Sequence, residues 1–350
     1  MPETPTPRRR VSRREERGLT LVEVLISLAV SLVVLAGSYQ ALHHARVAAE
    51  LTTLIADGTQ NLRAAVVQMT RDIIQTGREL PNAGIPIPFT TGSAVNRPLQ
   101  PGTSQTFPAA WETLPSICPG SGIGPTINNV ATDTLTVLYS DQSLDLNEYP
   151  LTALQSNGSR MTVDSRTDIS AASNGLKPGD LIWFTNAIGN AVQTVTSVSG
   201  QNVYFASGDP ADVYGLNART APQGTILQIR SGGTFPVTSA TRVVMVTYYL
   251  DTTTAPGQFR LMRRVGFGTP RLIATGIENL QVTYDIVDGT TNPTNQPEPA
   301  GPHTPSQIRK VNLWLSEQAA PGFSVTRRVL RSSVATQVSL RSMSYFDRYR

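Results

Sequence analysis

The longest apolar stretch of the chain runs from Leu19 to Leu42, and Glu23 is its single charged residue. At about 1.5 Å of rise per residue, a helix over this stretch would be roughly 36 Å long, which is enough to cross a bilayer core of about 30 Å. We therefore predict a transmembrane helix over residues 19–42. A cleaved secretory signal, cut near the small residues 36–38, is the alternative, but its apolar region is normally about 7–15 residues long.

Beyond residue 42 the apolar residues follow a helical period along one face. They recur at steps of three, four and seven, at Leu51, Leu54, Ile55, Leu62, Ala65, Val66, Met69 and Ile73. This spacing predicts an amphipathic helix over residues 43–76 whose apolar stripe packs in a core, with a partner-binding face as the alternative interpretation. Charged residues, Asp72 among them, lie mainly off the stripe. Gly77 provides a C-cap, and Pro81 prevents continuation of the helix.

Residues 77–132 are rich in proline and glycine, which predicts an extended loop that wraps the surface rather than a packed element. Later in the chain, short runs rich in Val, Thr, Tyr and Phe are separated by Gly, Pro, Asn and Asp, a pattern typical of β-strands. We predict strands at Thr134–Tyr139, Leu181–Asn186, Val192–Val198, Asn202–Phe205, Thr225–Arg230, Val243–Leu250, Phe259–Val265, Leu272–Ala274, Leu280–Ile286, Val311–Leu315 and Thr336–Leu340.

The predicted fold class is therefore α+β. A long N-terminal helix, transmembrane in its first half, is expected to pack on a β-rich globular head over residues 133–350. A small β subdomain is expected as an insertion in the head over residues of about 150–235. Residues 288–305 consist largely of Pro, Asn, Thr and Gly, and this composition predicts a disordered or mobile loop.

The positive charge of the chain is concentrated at its N-terminus. The net charge is +4 and the isoelectric point about 9.4, and residues 1–18 hold six arginines against three glutamates. Basic residues that precede an apolar span stay on the cytoplasmic side, so the rest of the chain is expected beyond the membrane. No nucleic-acid partner is expected. The candidate contacts are three arginines near the C-terminus, Arg327, Arg328 and Arg331, which lack a pattern of aromatic residues for base stacking, so we predict a solvated strand there.

The composition leaves little material for catalysis or metal binding. The single cysteine, Cys118, excludes an intrachain disulfide and a zinc site built from several thiolates. We expect Cys118 to be an inert thiol, with an intermolecular disulfide as the alternative. His43 and His44 are expected at the membrane interface rather than as metal ligands. We therefore predict that the protein is not an enzyme and has no cofactor.

An acidic stretch in the head is a further candidate for metal binding. Its oxygen-bearing side chains are Asp141, Asp145, Asn147 and Glu148. Their spacing differs from that of an EF-hand loop. We predict a solvated acidic turn here, with a calcium site as the alternative.

Glu23 calls for an explanation, because a carboxylate well inside an apolar span costs roughly 2.5–3.5 kcal/mol on insertion scales. One explanation is local: Thr20 and Glu23 have the spacing of a capping box, which satisfies backbone amides at the start of a helix. That explanation does not account for the basic segment directly before the span.

The type IV prepilin family has a cleavage and methylation motif, usually written G-F-T-L-x-E, that residues 17–25 (RGLTLVEVL) resemble. The resemblance implies that a prepilin peptidase removes the basic leader, residues 1–18, by cutting between Gly18 and Leu19. It also implies methylation of the new N-terminal amine of Leu19, and pairing of Glu23 with the N-terminal amine of a neighbouring subunit during filament assembly. Leu19 replaces the commoner phenylalanine and keeps the position apolar.

The order of segments in the C-terminal half is similar to that of PilW-like minor pilins. The similar segments are residues 133–139, 248–251, 259–264, 272–284, 308–315 and 327–330. This similarity implies a pilin-type helix and a minor pilin of a type IV pilus that acts in assembly or priming. The large head suits a position near the pilus tip. A type II secretion pseudopilin, or a filament-displayed adhesin or DNA-binding head, is the alternative.

The same resemblance implies partners and a location. The partners are prepilin peptidase, other major and minor pilins, the inner-membrane pilus assembly platform and membrane lipid. The precursor would cross the bacterial inner membrane once, with a cytoplasmic N-terminus and a periplasmic head. After assembly the subunit would lie in the pilus at the cell surface.

Overall fold

The computed structural model describes residues 20–90, 92, 94–255, 257–318 and 331–343. Gly18, Leu19 and residues 327–330 lie outside this part of the chain. The chain forms two compact units, and the boundary between them falls after Thr53. The first unit contains the apolar half of a long helix, and the second contains the rest of that helix together with the β-structure.

The long helix, α1, spans Leu21–Gln75 and so confirms the helix expected from the apolar stretch and the amphipathic stripe. Within the second unit its stripe is buried from Leu62 to Ile73, in a core shared with both large sheets. Ile55 of the predicted stripe remains exposed. The helix ends where Gly77 adopts a left-handed φ of 74° and its amide donates to the Leu138 carbonyl at 2.9 Å.

The strands of the described residues follow the helix in chain order. They are β1 (Ile85–Pro86), β2 (Thr113–Leu114), β3 (Ile117–Gly120), β4 (Thr126–Ile127), β5 (Val130–Ala131), β6 (Thr134–Ser140), β7 (Ala153–Leu154), β8 (Arg160–Thr162), β9 (Leu181–Thr185), β10 (Asn190–Thr194), β11 (Ser197–Ser199), β12 (Asn202–Tyr204), β13 (Ser239–Asp251), β14 (Arg260–Val265), β15 (Arg271–Thr275), β16 (Ile277–Ile286), β17 (Ile308–Gln318) and β18 (Arg331–Ser339). Short 3-10 helices lie at Ile226–Ile229 and Pro305–Gln307.

The largest sheet is antiparallel and is organised around β13. One edge of β13 pairs with β6, while its other edge pairs with β9 in the first half and with β14 in the second. Strands β3, β10 and β15 extend the sheet outward. A second antiparallel sheet has the order β16-β17-β18. The α+β fold class, a long apolar N-terminal helix followed by a β-rich head, is confirmed.

The expected insertion contains a four-stranded sheet, β11-β12-β8-β7, with its own apolar core around Phe184 and Phe205. Its strands β9 and β10 nevertheless belong to the largest sheet, because β9 pairs with β13. The predicted strand Val192–Val198 is divided between β10 and β11. The predicted strand Thr225–Arg230 is wrong: a 3-10 helix at Ile226–Ile229 packs into the insertion core.

The prediction that residues 77–132 form a loop without packed elements is wrong. Strand β3 in this segment joins the largest sheet through β6, and all four of its residues are buried. It contains Pro119, which lacks an amide donor. The proline is tolerated because β3 lies at the edge of the sheet and needs hydrogen bonds on one side only.

Residues 288–305, predicted as a disordered or mobile loop, form a loop whose backbone has several local hydrogen bonds. Tyr284 and Gln296 exchange two backbone hydrogen bonds of 2.8 and 2.9 Å. The Asp288 carboxylate accepts hydrogen bonds from the amides of Thr290 and Asn292. A side chain of the loop itself, that of Asp288, thus satisfies backbone amides that no strand partner covers.

Candidate functional site

The start of α1 has the geometry of a capping box. The Thr20 amide and hydroxyl both donate to Oε2 of Glu23 at 2.9 Å, and the Glu23 amide donates to the Thr20 hydroxyl at 3.3 Å. Within one chain the carboxylate therefore has a local partner. The predicted cleavage residues, Gly18 and Leu19, precede the described part of the helix.

The apolar side chains of α1 in the first unit are exposed over the described residues. Residues 21–42 are all exposed, and Leu21 and Val33 keep 77% and 73% of their accessible surface. An 18-residue window of the helix has a mean hydropathy of 2.3, and none of it is buried. Within the described residues this is the one helix long and apolar enough to cross a membrane. Such a surface requires lipid or other apolar helices around it.

In the second unit the helix is joined to the largest sheet by a buried ionic cluster that the sequence did not reveal. We call it the Asp72 cluster; its members are Asp72, Tyr139, Tyr248 and Arg263. Asp72 is 2% exposed, and Arg263 donates to its two oxygens at 2.7 and 3.2 Å. The hydroxyls of Tyr248 and Tyr139 donate to the same carboxylate at 2.5 and 3.2 Å.

The charges of the Asp72 cluster keep its donors protonated. Burial and the Asp72 carboxylate raise the pKa of Tyr139 to about 12, and the same causes raise the pKa of Tyr248. Burial disfavours the charge of Arg263, but the hydrogen bond and charge of Asp72 outweigh it and raise the pKa of the guanidinium. Arg263 and the two tyrosines therefore stay protonated and able to donate across the physiological pH range.

The predicted acidic turn does not bring its four side chains together. The Asp141 carboxylate lies 2.6 Å from Nη2 of Arg242, while Asp145 accepts from the amide of Asn147 at 2.8 Å. Within the described ranges, no three His, Cys, Asp or Glu side chains are grouped as a metal would require. Glu148 is exposed.

Cys118 is fully buried, and its Sγ donates to the Pro115 carbonyl at 3.3 Å. Burial raises the pKa of the thiol to about 12, so the reactive thiolate is suppressed.

The remaining predicted residues lie elsewhere. His43 and His44 lie on the exposed face of α1 with ring centroids 6.2 Å apart. On β18, Arg331 forms an ion pair with Glu278 of β16, with 2.7 Å between Nε and Oε1. Arg327 and Arg328 lie outside the described residues.

Comparison with known proteins gives one family match. Residues 13–39 match the family described as "Prokaryotic N-terminal methylation motif". The chain thus carries the type of signal found on type IV prepilins, and this signal coincides with the exposed apolar part of α1.

Two further comparisons add little. No similar sequence was found among curated proteins. Among solved structures, the type IV-like pilin TTHA1219 from Thermus thermophilus is 14% identical over 48% of this chain and 87% of its own, with a TM-score of 0.19. A score this low supports no conclusion about the fold.

Proposed function

We propose that the protein is a minor pilin of a type IV pilus, a filament subunit that is processed by prepilin peptidase and acts in pilus assembly or priming. The proposal rests on the methylation motif over residues 13–39, which overlaps the exposed apolar part of α1. A membrane would cover that helix in the precursor, and the helices of other pilins would cover it in a filament.

The proposed processing site is the peptide bond between Gly18 and Leu19, with methylation of the new amine at Leu19. Glu23 would then face the N-terminal amine of a neighbouring subunit. Either charge alone is costly in an apolar environment, whereas the pair attracts strongly there. Charge pairing would set the register of an incoming subunit.

Mass spectrometry of the mature N-terminus, on protein isolated from the native host, tests this processing. The proposal expects a chain that begins at methylated Leu19. A chain that begins near Met1 would make the protein an ordinary membrane-anchored protein. A start near Tyr39 would make it a secreted β-protein and would overturn the assembly role.

The minor-pilin role and a position near the tip rest on the PilW-like order of segments and on the size of the head. A head with an insertion and long loops suits a low-copy position better than repetition along a shaft. The proposed partners are other major and minor pilins, the inner-membrane assembly platform and membrane lipid. The precursor head would lie in the periplasm. Site-specific cross-linking that places the head all along the shaft would contradict the tip position.

A type II secretion pseudopilin is the second candidate, because the same motif and the same apolar helix serve both assemblies. Deletion of the gene distinguishes them. Loss of surface pili with normal protein secretion supports the pilus, and loss of secretion with normal piliation supports the pseudopilus.

A further inference from the structure

A groove of about 960 Å³ opens on the head, lined mainly by residues 104–113 and residues 298–306. Its volume lies within the range of about 300–1,000 Å³ that is typical of small-molecule sites. We propose that this groove binds a neutral oligosaccharide. The proposal rests on the aromatic and polar side chains of the groove and is independent of the role in a filament.

The aromatic part of the groove is formed by Phe107 and Trp111. Their ring centroids are 5.7 Å apart and their planes differ by 15°, so the rings are stacked. Phe107 is buried, whereas Trp111 is half-buried and presents part of its surface to the groove. A sugar ring has an apolar face of C–H groups that can lie flat on an aromatic ring, and Trp111 offers the larger such surface.

The donor at the base of the groove is Arg97, which is 4% exposed. Its guanidinium carbon lies 4.6 Å from the centre of the Phe107 ring. Two of its nitrogens donate to neutral oxygens, Thr134 Oγ1 at 3.3 Å and the Pro119 carbonyl at 2.6 Å. Its Nε has no hydrogen-bond partner among the described residues. Because this nitrogen is itself shielded from the surface, Arg97 shapes the base of the groove, and the ligand contacts fall to the more exposed side chains around it.

Acceptors and amides complete the polar side of the groove. The Glu298 carboxylate is held in place by the Ser121 amide, which donates to its Oε1 at 2.8 Å. Gln105 contributes an amide group to the lining. The carboxylate of Glu298 and the amide of Gln105 each have two polar atoms in one plane, a geometry that matches neighbouring hydroxyls on a sugar.

The charges of the groove favour a neutral ligand over an anionic one. Glu112 and Glu298 both line it and are exposed, so they would repel carboxylate or sulfate groups. An apolar ligand fits no better, since it would remove the exposed Glu298 carboxylate from solvent without offering it a hydrogen bond. A polyhydroxylated, uncharged ligand with one apolar ring face satisfies both kinds of side chain.

The test uses the full chain in a detergent without a sugar headgroup, applied to an array of neutral and uronic-acid-containing oligosaccharides. The tightest-binding neutral oligosaccharide is then titrated by calorimetry. We expect Trp111→Ala to weaken its binding at least tenfold. Trp314→Ala is the matched control, because Trp314 is 38% exposed on β17 and lies outside this groove, and it should bind as the wild type does.

A second variant guards against misfolding of Trp111→Ala. Ala109 is exposed in the groove lining, so Ala109→Arg should obstruct the groove and weaken binding while the melting temperature stays unchanged. Three results would overturn the proposal: no neutral oligosaccharide bound at millimolar concentration, exclusive binding of acidic oligosaccharides, or unchanged binding by both groove variants.

Discussion

Asp72 shows how one buried carboxylate can join a helix to a sheet. It receives two hydrogen bonds from Arg263 and one each from Tyr139 and Tyr248, so both of its oxygens are satisfied. A buried ion pair of this kind contributes little by comparison with an apolar core. Its loss is nevertheless expensive, because the remaining charge stays buried without a partner.

We expect Asp72→Ala to lower the free energy of unfolding by about 3 kcal/mol, the low end of the range for a buried pair, since the Arg263 side chain that loses its partner is 16% exposed. Urea unfolding of the full chain in detergent, followed by tyrosine and tryptophan fluorescence, measures this change. Arg71→Ala is the control, because Arg71 is the exposed neighbour on the same helix and its loss should change stability little. Equal effects of the two substitutions would show that the Asp72 cluster does not hold the helix to the sheet.

Glu317 is the opposite case, a buried carboxylate that is poorly compensated. It is 4% exposed, and burial raises its pKa, which the nearby Asp57 carboxylate raises further and a hydrogen bond with Asn61 partly offsets. The folded state therefore favours the protonated form. The stabilising contribution of Glu317 is fully present below the ordinary pKa of a glutamate and is lost as the pH rises through the raised value.

Glu317→Gln should therefore stabilise the protein at pH 7, by about 1 kcal/mol as for other poorly satisfied buried polar groups. The advantage should disappear near pH 4, where the wild-type side chain is protonated. Thermal unfolding of both proteins at the two pH values measures this difference. Glu148→Gln changes an exposed glutamate and should alter neither value. A constant difference at both pH values would rule out titration of Glu317 as the cause.

At the scale of elements, the burial of Glu317 explains why α1 contains Gly58. A Cβ atom placed on Gly58 would lie 2.3 Å from Oε2 of Glu317, which is far inside van der Waals contact. Strand β17 thus approaches the helix closely at this point, and the missing side chain makes room for the carboxylate. Gly37 on the same helix has no atom within 4 Å of the equivalent position.

These two glycines give a matched pair of substitutions. Alanine favours a helix by about 1 kcal/mol over glycine, so Gly37→Ala should increase helix stability. Gly58→Ala should instead give no gain in unfolding temperature, because the Glu317 carboxylate must move aside and this cost offsets the helix preference. Circular dichroism during heating of the full chain measures both variants. A stabilising Gly58→Ala would mean that Glu317 moves aside at no cost.

The helices and strands that were predicted correctly are those whose sequence signal lies in neighbouring residues. The 3.6-residue period of α1 and the Val- and Thr-rich run of β6 are readable without a partner, and both were confirmed. Strand β3 was missed because its Ile-Cys-Pro-Gly sequence has no local strand signal, and its pairing with β6 alone makes it a strand. The 3-10 helix at Ile226–Ile229 was mistaken for a strand because a short apolar run fits either structure.

For the whole molecule, the proposed assembly gives Glu23 a contact between subunits in addition to its capping contact within a single chain. We expect Glu23→Ala to leave leader cleavage intact but to reduce incorporation into filaments severalfold, since the N-terminal amine of a neighbour would lose its partner. Immunoblotting of purified filaments and of membranes measures incorporation and cleavage separately.

Thr20→Ala provides the control for Glu23, because it removes the capping partner but keeps the carboxylate. It should cost the helix about 1 kcal/mol and still permit incorporation. If Thr20→Ala reproduces the defect of Glu23→Ala, or if Glu23→Ala is incorporated normally, Glu23 serves the start of the helix and not the contact between subunits.

Some features of this protein depend only on residues that are neighbours in the chain. These are the apolar span, the basic segment before it, the motif around Glu23 and the periods of helix and strand, all of which involve residues close together in the chain. The Asp72 cluster, the place of β3 at a sheet edge and the groove beside Trp111 arise instead from the folded arrangement. Each of these joins residues far apart in sequence, such as Asp72 and Arg263, and the free energy of such contacts depends on a burial that no local pattern specifies.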